Sequence, residues 1–80
     1  MGEMSDHIDS NLFTYNRSWE EVENMLDRAE RKMNRHYVEA HKVGEKAERL
    51  YHMRNYKALE GVVKTLRWVL GDIQINHPLE

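Results

Sequence analysis

Residues 18–53 read SWEEVENMLDRAERKMNRHYVEAHKVGEKAERLYHM, and this pattern predicts a long helix with a defined start. Ser18 and Glu21 have the spacing of a capping box, in which each side chain hydrogen-bonds the other residue's backbone amide. Beyond this start, apolar residues recur with heptad spacing at two adjoining positions of the helix. They are Trp19, Leu26, Met33, Ala40 and Ala47 at one position, and Val22, Ala29, Val43 and Leu50 at the other.

Gly44 is the weak point of this predicted helix, because glycine costs about 1 kcal/mol relative to alanine in a helix interior. The heptad keeps its phase across Gly44, which favours a continuous or slightly bent helix over a break. The phase is lost near Arg54, and Asn55 is a residue type that caps a new helix. The sequence therefore predicts a helix of about 50 Å, at 1.5 Å per residue, that ends near Met53.

A second, shorter helix is predicted from Tyr56 to about Leu70. Its apolar residues follow steps of three and four, and Gly71 is a natural C-terminal cap. Residues 47–51, AERLY, and residues 55–59, NYKAL, together resemble the junction between the two helices of a tetratricopeptide unit. The resemblance implies a helix-turn-helix hairpin, of which the chain holds one copy.

The chain divides into an N-terminal arm (residues 1–17, flexible or loosely docked), a helical hairpin domain (18–71) and a C-terminal tail (72–80). Its 80 residues include no cysteine, so packing must supply the stability that disulfides give other small proteins. A monomer of this size is only marginally stable, and association is an ordinary remedy. The predicted fold is all-α: a long and a shorter helix form a helix-turn-helix hairpin, assembled as a homodimeric helical bundle.

The unequal lengths of the two predicted helices indicate where the dimer interface lies. A helix of about 23 Å covers only about half of a 50 Å partner, so the first turns of the long helix would stay uncovered. The expected dimer-interface residues are Trp19, Val22, Leu26, Ala29 and Met33. The apolar group Leu12, Phe13 and Tyr15 is expected to fold back on these turns or to pack on another subunit.

The net charge of −2 conceals an asymmetry along the chain. Residues 3–30 carry eight acidic and two basic side chains, whereas residues 31–67 carry ten basic and four acidic ones. Helix-dipole matching explains such a bias over one turn at each helix end, and this bias extends further. An antiparallel dimer would set the acidic half of one long helix beside the basic half of the other.

Catalytic, cofactor and metal sites are not expected in this chain. His36 and His41 are five residues apart, whereas zincin histidines are four apart and share a helix face. His36 on the apolar stripe is better interpreted as a partly buried residue that sets helix register. The sequence has no nucleophile motif, no phosphate-binding loop and no carboxylate pair in an apolar context, so an enzyme is not predicted.

A protein partner is the expected ligand, and Trp68 is the candidate anchor. Trp68 points away from the main stripe of the second helix, Gly61 lies two turns earlier on that side, and Lys64 and Arg67 flank the surface. Aromatic side chains with a basic rim are enriched at binding hot spots. Alternatively, Trp68 packs in the dimer core or under the N-terminal arm.

Nucleic-acid binding is the alternative function. Six basic residues project from one strip of the predicted long helix, and such a strip follows a phosphate backbone. They are Arg28, Lys32, Arg35, Lys42, Lys46 and Arg49. The sequence pI of about 6.2 and the acidic first third count against this function.

The favoured interpretation is a small non-enzymatic helical protein–protein interaction module. The chain would act as a homodimeric regulator or adaptor of the kind that bacteria and their phages encode. No apolar run approaches the ~20 residues that span a bilayer, and the first residues are polar and acidic. A cytoplasmic location and no membrane partner are therefore expected.

Overall fold

The computed structural model describes residues 10–80 as an all-helical chain in which two α-helices pack against each other. Helix α1 spans Trp19–Lys42 and helix α2 spans Lys46–Val69, with 24 residues each. A short 3₁₀ turn, Ser10–Leu12, precedes them. The helices form an antiparallel hairpin, since His36 of α1 contacts His52 near the turn and Glu30 contacts Arg67 further from it.

Helix α1 begins as the sequence predicts. The Ser18 hydroxyl accepts a hydrogen bond from the amide of Glu21 at 3.0 Å, and the Glu21 carboxylate accepts one from the amide of Ser18 at 2.9 Å. The hydrogen bond from the Ser18 amide is the main cause that lowers the pKa of Glu21. Both orphan amides are thereby satisfied, so the capping box is confirmed.

The prediction of a continuous helix across Gly44 is wrong. Val43 (φ −80°, ψ 144°) and Glu45 (φ −81°, ψ 132°) are extended, and Gly44 lies between them. The amide of Val43 makes the last bond of α1, to the Glu39 carbonyl, and the Glu45 carbonyl accepts the first bond of α2, from Arg49. A Cβ at Gly44 would meet nothing within 4 Å, so close packing does not require glycine there, and its low helix propensity favours the break.

The turn predicted at Arg54 and Asn55 is also wrong, and with it the junction implied by the tetratricopeptide resemblance. Both of the resembling segments lie inside α2. Asn55 does not cap a helix, because its side-chain amide donates to the Tyr51 carbonyl at 2.9 Å within α2. The hairpin itself is confirmed, with its turn at residues 43–45.

Helix α2 ends at the predicted glycine. Gly71 has a φ of +85°, its amide donates to the Trp68 carbonyl at 3.0 Å, and the Asp72 amide donates to the Arg67 carbonyl at 2.9 Å. This pair of bonds is the Schellman motif, which requires a left-handed residue and therefore favours glycine. The predicted C-terminal cap is confirmed.

The core of the hairpin is very small. Three residues of the described part are buried: Ala29 near the middle of α1, Val63 in the second half of α2, and Ala40 near the turn. The two helices have equal lengths, so the length mismatch that placed the dimer interface is wrong. Instead, the hairpin lacks large buried side chains along its whole described length.

The segments on either side of the hairpin leave most of their apolar residues uncovered. Leu12, Phe13 and Tyr15 are 75%, 50% and 71% exposed, so the expected fold-back of this group on α1 is not seen. Residues 1–9 of the predicted arm lie outside the described part. In the tail, Ile73 is exposed and Ile75 is half-buried.

Candidate interaction surface

One side of the hairpin carries an open apolar groove between α1 and α2, which we call the hairpin groove. It consists of two adjoining cavities of about 460 and 510 Å³ that share Met25. Its apolar lining residues are Val22, Met25, Ala29, Leu59, Val62 and Leu66. Both helices therefore contribute to the groove.

The groove exists because the apolar face of each helix is wider than the contact with its neighbour. In α2, Leu59, Val62 and Leu66 follow helical steps along the groove. Met25 is 49% exposed and Val62 is 43% exposed, whereas Leu59 and Leu66 are half-buried. Exposed contiguous apolar surface of this kind marks an interaction site.

The charge of the groove differs between its two edges. Arg28, Lys32 and Arg35 of α1 line one edge, whereas Ala58 and Thr65 of α2 lie beside Val62 on the other. The remaining residues of the predicted basic strip lie near the turn. Lys42 ends α1, Lys46 begins α2 and Arg49 follows it, so residues 43–45 interrupt the strip.

The five residues expected at the dimer interface mostly face α2 of their own chain. Ala29 is buried, Val22, Leu26 and Met33 are half-buried, and Trp19 is 66% exposed. Their apolar periodicity thus belongs in large part to the seam of the hairpin. Val22 and Ala29 also reach the hairpin groove, and their role in a dimer stays a prediction.

Lys64 and Arg67 of the predicted partner-binding residues lie away from the hairpin groove, whereas Gly61 also lines the cavity beside Val62 at its edge. Gly61, Lys64 and Arg67 line a shallow cavity of about 620 Å³ on the opposite side, together with residues of the tail. Trp68 does not line this cavity and is 50% exposed. Lys64 lies one helical turn before Trp68 in α2, and the role of these residues in partner binding stays a prediction.

Arg67 has a structural role that the sequence did not indicate. Its guanidinium donates to the carboxylates of Glu30 in α1 and Asp72 in the tail, the second at 3.2 Å. The hydrogen bonds to Glu30 and then Asp72 raise the pKa of Arg67. Arg67 thus ties α1, α2 and the tail together, and its charge is already matched within the chain.

A cluster of histidine and tyrosine rings lies at the turn end of the hairpin. The Nδ1 atoms of His36 and His52 are 3.0 Å apart, and the ring of Tyr51 meets His36 edge-on at 6.0 Å. Burial, followed by the nearby His52, lowers the pKa of His36. This pair could not be predicted while the turn was expected at Arg54 and Asn55. Both histidines are equally distant from Gly44, which would have revealed the pair once the turn was placed there.

Residues 10–80 hold no candidate metal site and no candidate membrane-spanning helix. Within this part, histidine and carboxylate side chains do not gather in groups of three that would hold a metal ion. Neither helix has the length and apolar character needed to cross a membrane. No protein-family model matches the chain, and neither the curated proteins nor the solved structures show a significant match.

Proposed function

We propose that this chain is a small non-enzymatic helical protein–protein interaction module that acts as a homodimer. One observation carries the proposal: the described hairpin buries only three side chains, none of them larger than valine, while Met25, Val62 and other large apolar residues are exposed. In this proposal the dimer is a cytoplasmic regulator or adaptor, of a kind encoded by bacteria or phages.

The physical argument is a comparison of core size with the cost of folding. Ordering each residue costs about 1–2 kcal/mol of conformational entropy, which apolar burial must offset. Chains of this length usually need disulfides, a metal or association in addition to their own core. This sequence contains no cysteine, and the hairpin exposes an apolar groove, so association with another helical surface is the favoured source of stability.

Sedimentation equilibrium at tens of micromolar tests the proposal. We expect a mass of about twice the 9.6 kDa of the chain. A folded species with the mass of a single chain would contradict it, because the groove would then be stable in contact with water.

The basic edge of the groove favours one alternative, a nucleic-acid-associated regulator. Arg28, Lys32 and Arg35 lie together along α1 and present a local positive surface. Titration of duplex DNA and of RNA between about 50 and 200 mM salt separates the two functions, because phosphate contacts weaken steeply with salt. Binding that has this salt dependence and is lost in Lys32→Gln, but kept in the control Lys57→Gln, would support the alternative.

A further inference from the structure

We infer that the hairpin groove is the surface on which a second copy of this chain packs, with the two α1 helices antiparallel across a two-fold axis. The result is a four-helix bundle. This inference rests on the proposed homodimer and goes further, because it specifies which face is used and how the helices are oriented.

The shape of the groove fits a second hairpin. Its floor is formed by both helices, with Met25 and Ala29 from α1 and Leu59, Val62 and Leu66 from α2. A two-fold interface joins the same surface patch on both subunits, so a self-complementary apolar face is what it requires. Two such faces packed together give the core of a four-helix bundle, in which apolar residues of all four helices meet.

Charge selects between the two orientations that such a bundle allows. The first half of α1, residues 19–30, carries five carboxylates and one arginine, a net charge of −4. The second half, residues 31–42, carries four basic residues and one glutamate, a net charge of +3 with histidine neutral. If α1 of one copy lies antiparallel on α1 of the other, each acidic half meets a basic half.

The other orientation places α1 of one copy on α2 of the second copy. Residues 46–57, the first half of α2, carry four basic residues and one glutamate, again a net charge of +3. The basic half of α1 would then face the basic half of α2. Like charges placed across an interface are unfavourable, so the arrangement with α1 on α1 is preferred.

One pair in the groove lining follows this complementarity. Glu21 lines one end of the groove beside Arg17, whose guanidinium lies 3.6 Å from the Glu21 carboxylate, and Lys32 and Arg35 line its other part. A two-fold axis near Arg28 brings Glu21 of one copy toward Arg35 of the second copy. Arg28 approaches its own mate at the axis, where solvent and salt screen exposed charges.

Matched substitutions test the surface. Val62 lies in the groove and is 43% exposed, and Val38 lies outside the groove lining on α1 and is 48% exposed. Val62→Arg places a further cation beside the basic edge and should weaken dimerisation more than tenfold. Val38→Arg should leave dimerisation unchanged. If Val62→Arg dimerises as tightly as the unmodified chain, the assignment of the groove is overturned while the proposed homodimer stands.

Spin-label distances test the orientation without altering the groove. The chain contains no cysteine, so Glu20→Cys gives a single labelling site near the start of α1. With the two-fold axis near Arg28, antiparallel α1 helices should place the two labels about 25 Å apart, given a rise of 1.5 Å per residue. A distance below about 15 Å in a dimer would require parallel α1 helices, given interaxial spacings of about 8–10 Å, and would overturn the orientation. A monomer would instead overturn the proposed function and this inference together.

Discussion

His36 and His52 are the residues through which pH should act on the hairpin. Their Nδ1 atoms, 3.0 Å apart, accommodate one shared proton, but two protonated rings would repel each other at this distance. Lys32 and Arg35 on α1 add to the positive potential that lowers the pKa of His36. These surroundings thus favour the neutral form of His36.

We predict that the hairpin loses stability when the pH falls below neutrality. The pKa of His36 in the folded chain lies below the ordinary value of 6.5, so the unfolded chain binds more protons between these two values. Stability is therefore fully present above about pH 6.5 and declines as the pH falls toward the folded pKa. Melting temperatures at pH 7.5 and pH 5.5, on either side of the ordinary pKa, measure this effect.

Two substitutions identify the residue responsible. His36→Gln keeps a polar side chain but removes the titration, and it should flatten the decline in melting temperature. His77→Gln, in the tail, is the control and should leave the decline unchanged. An equal decline in both variants would assign the pH dependence to other groups.

Truncation of Trp68 tests whether this side chain lies on the open surface of α2 or inside the assembled core. Its side chain is 50% exposed and belongs neither to the hairpin groove nor to the cavity beside Arg67. Trp68→Ala should lower the free energy of unfolding by about 1 kcal/mol or less and leave the dimer intact, whereas a buried aromatic residue would cost about 3–5 kcal/mol. Denaturant unfolding measures this difference, and a loss in the larger range would place Trp68 inside the assembled core.

At the scale of the helices, the turn at residues 43–45 is the feature that defines the hairpin. Lys46 is the first residue of α2, where proline is well tolerated because the amide has no helical partner. Lys46→Pro should therefore leave the free energy of unfolding unchanged or raise it by about 0.4–1 kcal/mol. A continuous helix through this position would instead lose about 3 kcal/mol.

Lys57→Pro is the matched control for this prediction. Lys57 is exposed in the middle of α2, where proline removes a backbone hydrogen bond and clashes with the preceding turn. We expect about 3 kcal/mol of destabilisation, measured by denaturant unfolding. If Lys46→Pro were as damaging as Lys57→Pro, the helix break at Gly44 would be wrong.

The start of α1 and the end of α2 could be predicted from the sequence, whereas the position of the turn between the helices could not. Ser18 and Gly71 specify local hydrogen bonds and a local backbone conformation, so a few residues determine each end. Gly44 only weakens a helix, and whether the chain breaks there depends on the energy that α1 gains by packing on α2. Apolar periodicity does not indicate the break, because the same apolar stripe fits one long helix as well as the seam between two helices of a hairpin.

The candidate interaction surface, like the turn, could be predicted from the sequence only in part. The sequence correctly indicated apolar residues in excess of what the chain buries, but its interface residues were chosen from a length mismatch between helices. The hairpin groove depends on which face of α1 meets α2, and this contact is non-local. Leu59, Val62 and Leu66 are apolar residues of the second predicted helix, yet their position next to Met25 depends on the turn at Gly44.

At the scale of the whole molecule, folding and association should be one process. The described hairpin buries Ala29, Ala40 and Val63 and exposes many of its large apolar side chains, which a second copy would cover in the proposed dimer. In an antiparallel dimer, added salt should weaken association only modestly, since exposed ion pairs contribute about 0.2–1 kcal/mol each and apolar burial does not depend on them.

The concentration dependence of thermal unfolding tests most directly whether a second copy completes the core. For a dimer that unfolds to two chains, a hundredfold rise in protein concentration stabilises the folded state by about 2.7 kcal/mol, which corresponds to a melting temperature about 5–10 °C higher. We predict a rise of this size. A melting temperature that stays constant over the same range, for a species with the mass of one chain, would contradict it.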